Sequence, residues 1–166
     1  MNTGRGTRAN FENTEAHRAT DVPSVPSPRY RLILLPVDGD DDGAATAQAA
    51  MLACATEATV AILAVMDTGA GFAFGAVGMA TYQRLRSEAQ AAIEAASAAL
   101  RAAGLVRVEH LIMDGAPGAA ILEVADEQGA DLIVLGGGRV MLDSTTSEGV
   151  AAHIVRHARC PVLIVP

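Results

Sequence analysis

The residues of this 166-residue chain whose types suit ligand chemistry gather in two glycine-rich loops. The first reads Asp38-Gly-Asp-Asp-Asp-Gly43, and the second Gly136-Gly137-Gly138-Arg139 followed by Asp143-Ser-Thr-Thr-Ser147. Glycines let a backbone approach a phosphate and expose its N–H groups, while a hydroxyl at a helix start adds a donor and the helix adds a positive dipole end. Arg139 would supplement them with charge. The same glycine triplet also suits a tight strand-to-helix connection, so both roles stay open for it. Asp38 can accept a hydrogen bond from a ligand or simply turn the chain into the next helix. For Asp40, Asp41 and Asp42 the expected role is to favour the helix N-terminus that follows them rather than to hold a cation.

Other reactive residues lead to exclusions. His153 and His157 stand four apart, a spacing that suits metal ligation from one helix face, yet no Cys, Asp or Glu completes a set. Ser144 lacks the G-x-S-x-G elbow of a hydrolase nucleophile. Cys54 and Cys160 form neither a disulfide framework nor a metal spacing, and each is expected to be a buried, inert thiol. All twelve basic residues are arginines, which excludes a P-loop lysine, a Schiff base and any lysine general base. Against nineteen acids they leave a net charge of −7, so neither nucleic acid nor an anionic membrane is an expected partner. No window approaches the roughly 20 apolar residues of a membrane span; the longest, Ala58 to Ala80, is broken by Asp67 and four glycines. No apolar signal region precedes Asp21, and the expected location is cytoplasmic.

The elements that must position these loops alternate regularly. Residues 1–29 end in Val22-Pro-Ser-Val-Pro-Ser-Pro28, a polyproline-like spacer, and read as a disordered tail ahead of one domain, 30–166. Five runs rich in Val, Ile and Leu follow: Arg31–Val37, Thr59–Met66, Leu105–Ile112, Asp131–Leu135 and Pro161–Val165. Four are nearly continuous in apolar residues, as strands covered on both faces are. Helical patterns separate them at Ala44–Ala58, Thr81–Ala103, Pro117–Gln128 and Ser147–Ala158. The second carries Leu85, Ala89, Ala92, Ala96 and Leu100 on one stripe and the third buries Ile121, Leu122 and Ala125. Strict alternation predicts a doubly wound, Rossmann-like α/β fold: a five-stranded parallel sheet with helices on both faces. Order 3-2-1-4-5 is favoured because the polar, glycine-rich loops follow strands 1 and 4, and that order places the switch-point crevice between those two strands. The segment Thr68–Ala80, with two phenylalanines and four glycines, reads as a loop, either a mobile docking element or a cover for the sheet end.

The stretches LILLPVDGD, AVMD, DGAPGAAILEVADEQGADLIVLGG and IVRHARCPVLIVP resemble, in order and spacing, the universal stress protein family over residues 30–166. That resemblance implies a five-stranded α/β fold, dimerisation through the last strand and, in one branch, binding of ATP or a related adenine nucleotide. It assigns adenine and ribose to Pro36, Val37, Asp38 and Val65. It assigns the phosphates to a loop G-x2-G-x9-G-[ST], in which Gly136 supplies the first glycine and Gly149 the third. Gly137 and Gly138 fall between the first two glycine positions, Arg139 replaces the second glycine, and Val150 replaces the hydroxyl residue. Aligned backwards from Cys160-Pro161, the loop is one residue short, with Glu148 at the glycine and Gly149 at the hydroxyl position. In either register the phosphate loop is degenerate. Asp40, Asp41, Asp42 and Asp143 flank the crevice and would repel a triphosphate unless Mg²⁺ intervened, so AMP, or no nucleotide, gains over ATP. The expectation is a non-enzymatic homodimeric sensor or regulator that binds an adenine nucleotide; the alternative is a nucleotide-independent interaction protein.

Overall fold

A computed structural model describes residues 30–39, 43–68, 76–136 and 149–166. The expectations for residues 1–29, Asp40–Asp42, 69–75 and 137–148 lie outside them; that includes Gly137, Gly138, Arg139, Asp143, Ser144 and Glu148. The described chain forms β1 (Leu32–Val37), α1 (Ala44–Thr56), β2 (Thr59–Met66), α2 (Ala76–Ala102), β3 (Val108–Asp114), α3 (Pro117–Gln128), β4 (Leu132–Gly136), α4 (Val150–His157) and β5 (Val162–Val165). The strands make one parallel sheet in the order β3-β2-β1-β4-β5.

The apolar runs are continuous because successive side chains feed two different cores. Ile33, Leu35, Val60 and Ile62 pack on one face beneath α1 and α2, where Ile93 and Leu100 meet them. Leu34, Leu63, Ile133 and Leu135 point the other way, against Ile121 and Val124 of α3 and Ile154 of α4. The edge strand β3 exposes Glu109 and His110 and breaks the pattern accordingly.

Several boundaries differ from expectation, among them helix α4, expected from Ser147 but beginning at Val150 after the extended backbone of Gly149. The helix expected from Thr81 begins at Ala76, inside the segment read as a loop. Ala76, Val77, Met79 and Ala80 are compatible with helix, and a single interior glycine, Gly78, costs only about 1 kcal/mol. Strand β3 starts at Val108 rather than Leu105, because Gly104 at φ 92 turns the chain and Leu105 plugs the core before the strand begins. Helix α1 stops at Thr56, where Glu57 adopts a left-handed φ of 58.

The cysteine expectation is corrected as well. Cys54 is exposed, because the core face of α1 is taken by Ala45, Ala49 and Ala53 at helical spacing and Cys54 lies one position past it. Cys160 is partly buried, and that burial raises its thiol pKa against the lowering effect of a backbone hydrogen bond.

One carboxylate aligns the sheet's centre. Asp131 accepts from the backbone N–H groups of Arg31 at 2.6 Å and Leu32 at 3.1 Å, and its own N–H donates to the Leu32 carbonyl at 2.9 Å. The start of β1 is thereby fixed against the start of β4. Asp131→Ala is expected to lower the unfolding free energy by about 1–2 kcal/mol, since two charge-assisted bonds at a partly exposed site are lost. A urea titration checks this; an unchanged midpoint would show that solvent replaces the carboxylate at no cost.

Candidate functional site

All four crossovers return across the sheet, so the carboxyl ends of β1, β2 and β4 and the start of α4 share one edge. Asp38 follows the last residue of β1, Val65 is the penultimate residue of β2, and Gly136 closes β4. Gly149 lies immediately before α4 with extended backbone, and Val150 is the helix's first residue. Sequence-expected residues from four elements therefore meet at one edge.

Hydrogen bonding explains where the β1–β4 ladder ends. Arg31 accepts from Thr59 of β2 and Leu32 accepts from Asp131 beside β4, so odd-numbered residues of β1 face β2 and even-numbered ones face β4. Pro36 thus turns its nitrogen toward β4 and has no proton to donate. The β1–β2 ladder runs on to Val37 opposite Ala64, whereas the β1–β4 pairs end at Leu34 opposite Ile133. Beyond that point the two strands form no further pairs with each other, although β1 runs on to Val37 beside β2 and β4 to Gly136 beside β5. The β1–β4 ladder stops at the switch point of this strand order because Pro36 offers no donor there.

Side chains around the crevice divide between the two faces. Val37 is buried with the core under α1 and α2, while Val65 and Val150 are half-buried against the α3 and α4 core. Asp38 and Gly39 are exposed, and Gly39 has a left-handed φ of 86. A Cβ at Gly39 would lie 3.8 Å from the Cβ of Ala92, in ordinary contact, so backbone conformation rather than space selects glycine there.

On the α1 and α2 side of Asp38 lies a groove of about 620 Å³. Asp38, Gly39, Thr46, Arg84 and Glu88 form its polar mouth, and alanines of α2 form its wall. Arg84 donates to Glu88 across one helical turn at 2.8 Å. Sequence reasoning missed that this pair faces Asp38. Its spacing marks a helix-surface ion pair, but only the packing of α2 over β1 reveals what it faces.

On α4 the rings of His153 and His157 stack at 4.5 Å, and His157 Nδ1 lies 2.9 Å from the His153 carbonyl. No group of three His, Cys, Asp or Glu able to hold a metal ion occurs among the described residues. Among them, no helix is long and apolar enough to cross a membrane.

A sequence profile described as the universal stress protein family matches residues 29–166. The chain belongs to the universal stress protein family. Universal stress protein MJ0531 of Methanocaldococcus jannaschii is 30% identical over 140 residues, 82% of each chain. Universal stress protein UspA from Lactobacillus plantarum is similar in structure, with TM-score 0.69 and 27% identity over 84% of this chain and 99% of that one. A crystal structure of a universal stress protein in complex with cAMP has TM-score 0.63 and 26% identity, covering 83% of this chain and 98% of the other. As a universal stress protein, this chain has the five-stranded parallel order read from its loops.

Proposed function

We propose that this universal stress protein is a cytoplasmic, homodimeric sensor or regulator that binds an adenine nucleotide in the crevice between β1 and β4. The carrying observation is the early end of the β1–β4 ladder at Leu34 and Ile133, with the strands running on to Val37 and Gly136. The cAMP complex of a family member 26% identical to this chain supports an adenine nucleotide as the ligand class.

In this reading Pro36, Val37 and Val65 line the adenine and ribose end, and Asp38 accepts from the ribose or base. Gly136, Gly137, Gly138, Arg139, Gly149 and Val150 border the phosphate. The N–H groups at the start of α4, which have no partner within the helix, favour an anion. Val150 brings no hydroxyl and Arg139 replaces a glycine, so fewer donors converge on the phosphate than the full loop would offer. The acids flanking the crevice oppose additional negative charge. A monophosphate fits better than a triphosphate, and ATP would require Mg²⁺. This reading assigns no general base for water, and the proposed role is binding without turnover.

The test is to denature freshly purified protein, identify any released nucleotide, and titrate the stripped protein with AMP and with ATP, each with and without Mg²⁺. AMP is expected to bind more tightly than metal-free ATP. Asp38→Ala is expected to weaken AMP by about tenfold or more, the scale of one hydrogen bond to a charged group. No released nucleotide and no heat at millimolar ligand would overturn the reading in favour of a nucleotide-independent interaction protein.

A further inference from the structure

Helix α4 brings His153 and His157 together on one face, with ring centroids 4.5 Å apart and the planes tilted by 35°. Spacing offers that face, and the surroundings fix each ring on it. A backbone carbonyl can only accept, so at 2.9 Å from the His153 oxygen the Nδ1 of His157 carries the proton and donates it. Its Nε2 therefore keeps a lone pair, on a side chain exposed to solvent. An imidazole whose other N–H is held by a backbone carbonyl has the arrangement that metal-ligating histidines use, because that bond sets both tautomer and ring orientation.

His153 is held from the side of α3. Its ring lies over Gly118, the second residue of that helix, where a Cβ would stand 3.0 Å from His153 Cδ2 and 3.4 Å from Cγ. Glycine thus makes the seat, and any larger residue would push the ring aside. Because the carbon edge of the ring faces Gly118, both ring nitrogens lie away from that contact. His153 is half-buried, so part of its side-chain freedom is already lost before any ligand arrives. The dipole at a helix C-terminus accounts for His157, as it does for Arg156 beside it, but for neither the ring stack nor the seat. Two imidazole nitrogens bound to one ion at about 2.0–2.1 Å lie roughly 2.9–3.4 Å apart. Rings stacked at 4.5 Å reach that bite by tilting, without leaving the helix face. Arg159, the next basic residue, is offset by Asp126 at 3.0 Å.

We propose that His153 and His157 form a binding site for a late first-row divalent metal ion, the class that imidazole selects and that includes Ni²⁺, Cu²⁺ and Zn²⁺, with water in the remaining positions. Two protein ligands make the site exchangeable rather than structural. It is independent of the nucleotide reading, which gives neither histidine a role.

The test is calorimetric titration of the full chain with Ni²⁺, with Cys54→Ser in every protein compared, because that exposed thiol would bind the same ions. One ion per chain is expected. His157→Gln, at an exposed position, is expected to weaken Ni²⁺ by at least about tenfold, because the second imidazole of a chelate binds as an intramolecular event. His110→Gln, on the edge strand β3, is expected to leave the affinity unchanged. Urea titration gives a second reading. The two rings are held together only in folded α4, so saturating Ni²⁺ is expected to raise the midpoint of the parent and not that of His157→Gln. Equal affinity in the parent and His157→Gln overturns the site, and so does weakening by His110→Gln. Binding that leaves the parent's midpoint unmoved also overturns it, by showing that the unfolded chain binds as well. One ion per two chains would put a second copy's ligands in place of water and overturn the set of two.

Discussion

Gly136→Val is expected to abolish detectable AMP binding, a loss of at least about a hundredfold, or roughly 2.7 kcal/mol, while leaving the fold in place. Gly136 is the last residue of β4, paired with Val165, and valine is a favourable residue in a strand. Its branched side chain would, however, stand beyond the end of the β1–β4 ladder, at the point the proposed phosphate must approach. Because the chain has no lysine, binding there depends on backbone amides, the start of α4 and one nearby arginine, and each of these requires close approach. Calorimetric titration with AMP reads the affinity and a urea titration reads the fold. Retained affinity in a folded variant would mean that the nucleotide, if bound, occupies another crevice.

Much of this arrangement is legible before any coordinates. Apolar runs such as LILLPV and DLIVL announce strands covered on both faces, and the loops after strands 1 and 4 select the strand order. Both are consequences of burial, which writes itself into residue type. What escaped the sequence depends on hydrogen-bond direction and on packing. Pro36 is visible as a proline near the end of a strand, but its effect rests on whether residue 36 faces β2 or β4, and only the pairing of Arg31 and Leu32 decides that. Cys54 looks buried within an alanine-rich helix because every face of that helix is apolar, so periodicity gives no guide to which face is turned inward. Arg84 and Glu88 have the spacing of a helix-surface pair; that they line one groove with Asp38 follows from the path of α2 over the sheet.

The same directional argument separates two substitutions in β5, Leu163→Pro and Ile164→Pro. Ile133 donates to the Pro161 carbonyl at 3.0 Å, so residues 161, 163 and 165 face β4 and residues 162 and 164 face away from it. No strand among the described residues lies on that outer side, and Ile164 is 37% exposed. An edge whose outward donors face no strand among the described residues, and which carries an exposed isoleucine, is suited to pairing with another copy, and the proposed homodimer uses it. Leu163→Pro removes a donor to β4 and disturbs a side chain packed on the α1 and α2 core, so it is expected to cost about 2–3 kcal/mol of stability. Ile164→Pro removes only an outward donor, and it is expected to give a folded monomer whose urea midpoint, extrapolated to low protein concentration, matches that of the parent. Sedimentation equilibrium distinguishes the cases. An Ile164→Pro protein that remains dimeric with unchanged dissociation would place the dimer contact elsewhere than β5, whereas monomers from Ile164→Pro alongside a loosened Leu163→Pro would show that the two sides of this four-residue strand serve assembly and folding separately.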